Sequence, residues 1–167
     1  SRVQFDVGAA VPDIPTDELM RNYRTGSHDL AVDQMAYQFG RYLSIAGSRI
    51  GDLPTNLCGL WMIGSASVFW GADYHFNVNV QMNYWPSEVT NLSECDIPFI
   101  DYVNSIREVR KADTKTRWGK DIRGWTIRCE NGAFGGSAWL WNPPGSAWYC
   151  QQLWEHYAFT QNKEYLR

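Results

Sequence analysis

The stretch from His75 to Glu88, HFNVNVQMNYWPSE in one-letter code, constrains this chain more than any other. Polar and apolar residues alternate through its first half. If residues 76–80 are extended, successive side chains face opposite sides. His75, Asn77 and Asn79 then share one face, and Phe76, Val78 and Val80 pack on the other. An imidazole beside two carboxamides, backed by an apolar row, suits a cavity that grips a ligand rich in hydroxyl groups, because each amide offers two donors and an acceptor oxygen. The same asparagines also fit turns and caps, where Asn competes with the backbone for hydrogen bonds.

The chain has 167 residues, enough for one ordinary domain. Its net charge of −3 gives no basic footprint for nucleic acid. No run approaches the ~20 apolar residues of a membrane helix, and the mean hydropathy is −0.41. The chain opens without a methionine and closes on Tyr165-Leu166-Arg167, which reads as a helix beginning; both predict a piece of a longer protein. Cys58, Cys95, Cys129 and Cys150 are too widely spaced for a C-x-x-C zinc pair; they read as scattered thiols, with two disulfides as the alternative. Nine tryptophans exceed what a core of this size needs, and flat aromatic faces cover the C–H face of a sugar.

Residues 1–26 read as a connector: Val11-Pro12 and Ile14-Pro15 break helix, and Thr16-Asp17-Glu18 can start a short one. Residues 30–46 are the clearest helix, with Ala31, Met35, Phe39, Tyr42, Leu43 and Ala46 on one apolar stripe, Asp29 as N-cap and Gly47 as stop. Residues 48–71 form a glycine- and aromatic-rich loop. Residues 83–113 carry one or two helices, Pro86 opening the first and Pro98 a second bearing Phe99, Ile100, Val103, Ile106 and Val109. Residues 113–145 read as a long loop carrying Trp118, Trp125, Trp139 and Trp141. Residues 146–159 are helical, capped by Ser146, with Ala147, Cys150, Trp154, Tyr157 and Ala158 on one face. Helices joined by long aromatic loops point to an all-α array rather than βαβ units.

Sugar hydrolysis calls for carboxyl groups, one to protonate the leaving oxygen and one to activate water. The candidates are Asp73, Glu88, Glu94, Asp96, Glu130 and Glu155. Glu88 and Glu94 also fit helix-end charges, and Glu155, between Trp154 and His156, fits a partly buried structural carboxylate.

Six segments in order resemble glycoside hydrolase family 95, the α-L-fucosidases and related α-L-galactosidases. Residues 1–8 look like the end of its linker, and Ile14-Pro15-Thr16-Asp17-Glu18 looks like "LPTDER". Residues 39–49 resemble "YGRYLLISSSR", residues 53–61 "LPANLQGIW", residues 77–94 "NINLQMNYWPAEVTNLSE", and residues 149–157 "LCQHLWEHY". The resemblance implies an (α/α)6 barrel, with residues 1–26 as linker and 27–167 as the barrel's N-terminal part. It implies inverting hydrolysis of terminal α-L-fucosyl groups, α-1,2-linked for preference, on a fucosylated oligosaccharide, a chemistry that needs no cofactor or metal. In the family two asparagines hold the attacking water; they match Asn77 and Asn79. The acid glutamate of an "SPE" motif and a later aspartate have no match here, so this piece alone is expected to be inactive. His75 matches the position facing the C5 substituent, where histidine resembles the fucosidase version and threonine the galactosidase version. Trp70, Asn83, Trp85 and Glu155 are the further candidates for substrate contact, although Trp85 fits a helix core equally well. Residues 124–131 depart from the family's "GWVAHHNTD", and Cys58 stands where glutamine is common. A non-catalytic carbohydrate-binding relative also fits the aromatic surplus and the missing carboxylate motifs.

Overall fold

The computed structural model describes residues 3–61, 71, 73–137 and 139–167. It is mostly helical. Two compact units, Ser1–Leu43 and Ser44–Arg167, divide it.

In the first unit α1 (Thr16–Asn22) follows Pro15 and leads to a turn at Tyr23–Ser27, where Gly26 takes φ 103°. The long helix α2 (Leu30–Gly47) then starts as expected: the Asp29 carboxylate accepts from the Ala31 N–H at 2.9 Å. Its apolar stripe lies differently from the expectation. Ala31 and Val32 are buried, but Met35, Phe39 and Tyr42 are exposed. Ala9–Pro12 lie beside this helix, lining a shallow hollow with Ala31, Gln34, Met35 and Gln38. Phe5 adds a ring contact to Tyr37 at 4.5 Å.

The second unit holds β1 (Tyr74–His75), α3 (Asn79–Tyr84), α4 (Pro86–Val89), α5 (Ile97–Ser105), α6 (Arg107–Trp118), β2 (Glu130–Asn131) and α7 (Pro143–Thr160). The two strands pair antiparallel, Tyr74 opposite Asn131 and His75 opposite Glu130. Pro86 and Pro98 both sit in first helical turns, where a missing N–H costs nothing. The expected single helix from Pro98 to Val109 is instead two, meeting at Ile106 (φ −84°, ψ −5°). The backbone of Gly135 presses against the fully buried Ile106 there, at a φ of 77° that favours glycine. Helix α6 runs on to Trp118, beyond the predicted end at Asp113. Its buried residues, Arg110 and Thr114, are polar and so left no apolar period to read.

Phe76 centres the core. Its ring packs with those of Phe99, Tyr102 and Tyr149, and Tyr74, Val80, Tyr84, Val103, Ile106 and Ile127 complete the cluster. The predicted strand 76–80 is a turn instead. Only residues 74–75 are strand, and α3 begins at Asn79. Phe76 and Val80 are buried as expected, but Val78 is exposed. A turn, not a pleat, gives this pattern, because the Phe76 carbonyl accepts the Gln81 amide at 2.7 Å and the Asn142 amide at 2.8 Å. Gln152 in turn donates to the Gln81 carbonyl at 2.7 Å, joining α7 to α3.

Helix α7 opens at Pro143, so Ser146 is no cap; its Oγ accepts from the Ile127 N–H at 3.0 Å. The buried face is Gly145, Tyr149, Gln152 and His156, not the expected Ala147–Cys150–Trp154 line, which is exposed. That face carries polar groups with partners across the helix packing, Gln152 Nε2 on the Gln81 carbonyl and His156 Nδ1 on Glu88, which an apolar count cannot register.

Gly145 sits where a β-carbon would lie 2.5 Å from the Phe76 carbonyl oxygen and would also strike the Asn142 amide. Alanine in a helix interior ordinarily adds stability over glycine. Gly145→Ala is expected to do the reverse, costing about 1–3 kcal/mol as overpacking does, read as a lowered urea midpoint.

Candidate functional site

A pocket of about 430 Å³ is lined by Leu57, His75, Asn77, Asn79, Cys129, Glu130, Trp139 and Leu140. Three elements build it: the end of β1 with the turn after it, strand β2, and the segment before α7. The strand pairing sets His75 opposite Glu130. The ladder continues past the strands, Phe76 N–H donating to Cys129 O at 2.7 Å and Cys129 N–H to Leu140 O at 2.8 Å. Residues 127–131 are thereby tied on both sides.

His75, Asn77 and Asn79 therefore share one cavity, although by a strand end, a turn and a helix start rather than by pleat alternation. Asn77 is exposed and Asn79 half-buried. Asn83, Trp85 and Glu155 do not line this pocket. Asn83 donates from Nδ2 to the Asn56 carbonyl at 3.1 Å. Trp85 is half-exposed and meets Trp148 edge-on, ring centroids 6.0 Å apart. Glu155 lines a separate surface hollow with Trp154 and Cys150. Trp70 lies outside the described residues. A larger cavity of about 570 Å³, between α5, α7 and the last residues, contains none of the named residues.

From the sequence Glu130 is only one of six carboxyl candidates and Trp139 only a residue of a long loop; nothing there places either beside His75. The signal for Glu130 was non-local, since only the pairing of two-residue strands 55 positions apart brings it to His75. Trp139 is exposed, and its carbonyl accepts Arg128 Nη1 at 2.8 Å. Arg128 itself is gripped by Asp113 through two bonds of 2.9 and 3.1 Å and lies 4.0 Å from the Trp141 ring centroid.

The carboxyl groups sort into two histidine clusters. At the pocket wall His75 Nδ1 is 2.7 Å from Asp73 Oδ1 and Nε2 is 3.2 Å from Glu130 Oε1. Burial pushes the Asp73 carboxyl above its ordinary range, His75 opposes this and Glu130 adds to it. Asp73, His75 and Glu130 each bring one donor atom within 4.8 Å of the others, and the two carboxylates sit at opposite ring nitrogens. Away from the pocket, His156 Nδ1 is 2.6 Å from Glu88 Oε1, and Ser93 Oγ donates to Glu88 Oε2 at 2.5 Å. Asp96 completes this fully buried group. Burial pushes its carboxyl up to about 8, with Glu88 and Glu155 adding and Ser87 opposing. Glu88 is held below its usual value: burial alone would raise it, but hydrogen bonds from His156, Ser93 and Asp96 together prevail. Asp96 thus keeps a proton at neutral pH, which a metal ligand would have to lose. The four cysteines are free thiols.

A pocket lined by two carboxamides, an imidazole and one tryptophan has the chemistry to hydrogen-bond a hydroxyl-rich ligand. All of residues 1–167 match the model of the glycosyl hydrolase family 95 catalytic domain, and the chain belongs to that family. It is 35% identical over 161 residues to "Probable alpha-fucosidase A" of Aspergillus niger, covering 93% of this chain and 20% of that protein. It is 33% identical over 159 residues to "Alpha-L-fucosidase 2" of Arabidopsis thaliana, covering 91% and 18%. The chain thus spans about a fifth of the length of these relatives.

The buried acid cluster carries a pH signature. Asp96 holds its proton up to about pH 8 in the fold but releases it near 4 when unfolded. Between these values the native state binds more protons, so stability falls as pH rises. The urea midpoint is expected to drop from pH 5 to pH 8, and Asp96→Asn to flatten that drop. Equal pH slopes for both proteins would contradict the assignment.

Proposed function

We propose that this chain is part of the catalytic domain of an inverting α-L-fucosidase and that its pocket receives a terminal α-L-fucosyl unit of an oligosaccharide, α-1,2-linked for preference. In this reading residues 27–167 belong to an (α/α)6 barrel and residues 1–26 are its connector. The observation that carries it is that His75, Asn77 and Asn79 line one pocket. The likeness to two α-fucosidases supports fucose as the sugar.

Asn77 and Asn79 orient the attacking water through their carboxamide oxygens. An amide cannot take up a proton at neutral pH, so a carboxylate must remove it. The carboxyl groups described here are poorly placed for that. Asp73 and Glu130 are engaged with His75, while Glu88 and Asp96 are buried. The acid and base come from other parts of the family's catalytic domain. Water attacks opposite the leaving oxygen in a single displacement, inverting the anomeric carbon.

The protein as its gene encodes it is expected to release L-fucose from an α-1,2-fucosylated oligosaccharide, the β anomer appearing first by NMR. No release from the folded protein, or the α anomer first, would overturn the reading. Asn77→Ala and Asn79→Ala are each expected to lower kcat about 100-fold or more, as loss of reactant positioning does, with KM little changed. The isolated 167-residue chain is expected to release none.

A further inference from the structure

His75 forms one wall of the pocket, yet neither ring nitrogen is free. Asp73 Oδ1 is 2.7 Å from Nδ1 and Glu130 Oε1 is 3.2 Å from Nε2, and the side chain is only 6% exposed. Asp73 comes from the bend just before β1, whereas Glu130 is the cross-strand partner on β2. The ring is therefore held from both ends by two separate chain segments. A ligand could hydrogen-bond a ring nitrogen only by displacing a carboxylate. What the ring can offer a ligand is carbon, along its edge and on its faces.

We propose that Asp73 and Glu130 are positioning residues that clamp His75 so that it meets the sugar's C5 substituent through carbon alone. This rests on the reading that the pocket takes an L-fucosyl unit, with its C5 substituent against His75 as the family resemblance implies. A methyl group packs against ring carbon without loss. A hydroxymethyl group in the same place buries a hydroxyl with no partner, which is unfavourable. Discrimination against L-galactosides then depends on the clamp as well as on the imidazole. If Asp73 is removed, the ring can turn about its Cβ–Cγ bond and present a nitrogen to the pocket. That nitrogen can accept or donate to the extra hydroxyl. An asparagine at position 73 keeps an oxygen acceptor for Nδ1 and preserves the arrangement.

The test compares aryl α-L-fucoside and aryl α-L-galactoside on the protein as its gene encodes it. Asp73→Ala is expected to lower the fucoside-to-galactoside ratio of kcat/KM by about tenfold or more, the scale of discrimination a single substituent allows. The gain should appear chiefly in KM for the galactoside, and Asp73→Asn should restore the ratio. Glu130→Ala should act in the same direction, and Glu130→Gln should be milder. An unchanged ratio in a folded Asp73→Ala protein would overturn the clamp. If the wild type hydrolyses neither sugar, the substrate reading fails, and the clamp is decided separately by carbethoxylation of His75, followed by peptide mass spectrometry. Slow modification in wild type and Asp73→Asn with many-fold faster modification in Asp73→Ala would sustain it; equal rates in all three would refute it.

Discussion

The carbonyl of Phe76 is the point on which the second unit depends. It accepts two side-chain amides, from Gln81 and Asn142, while the N–H of the same residue donates to Cys129. Its ring lies fully buried among Phe99, Tyr102 and Tyr149. A buried carbonyl left without a donor costs about 1–3 kcal/mol, so the amides do more than decorate the turn. They let the chain leave the strand direction at a buried position, where an extended backbone would otherwise have to continue to keep its bonds. That departure is what turns Asn77 and Val78 outward and places Asn79 at the start of α3. Helix α7 is bound to the same point through Asn142, just before its first residue, and through Gln152 one layer along. Gly145 is the residue whose lack of a side chain permits so close an approach.

The two histidine clusters show one chemical unit put to different uses by burial. Glu88 and His156 sit at 2.6 Å, both nearly inaccessible, with Ser93 and Asp96 satisfying the rest of the carboxylate. A charge in that position must be paired and hydrogen-bonded or it would not stay charged. The unit ties α4 to α7 and leaves nothing facing a ligand. His75 has the same carboxylate contacts, but its partners are each about a quarter exposed and one of them lines a cavity. There the pairing orients a ring at a surface that a ligand can reach.

Much of the fold was legible where apolar periodicity or a proline marks an element. The long helix after Asp29, the Pro86 and Pro98 starts, and the burial of Phe76, Val80, Phe99, Val103 and Ile106 all follow from such signals. Where burial is polar, the reading failed. Helix α6 buries Arg110 and Thr114, and α7 buries Gln152 and His156; hydropathy gives these no weight, yet Arg110 pairs with Asp113 on its own helix and the other three are each held by a partner on another segment. The turn at 76–78 was missed for the same reason, because its cause is a pair of amides, one of them 66 residues away. For the pocket, the local run was enough to group His75, Asn77 and Asn79. It could not supply Glu130 or Trp139, which arrive through strand pairing.

The choice of amides over carboxylates at 77 and 79 is itself an electrostatic statement. Asp73 and Glu130 already place two acidic groups at this wall, and burial with mutual repulsion raises the Asp73 carboxyl. Two further carboxylates beside them would compete for protons, each disfavouring the other's ionised form. A neutral carboxamide adds hydrogen-bonding capacity without adding charge, and its geometry does not change with pH. A wall built this way can hold a water molecule in a fixed orientation over a wide pH range, while the pH dependence of the proposed reaction is left to the acid and base that act upon it. In the proposed reaction, orientation is thereby separated from proton transfer, and the tuning of proton affinity falls to residues other than Asn77 and Asn79.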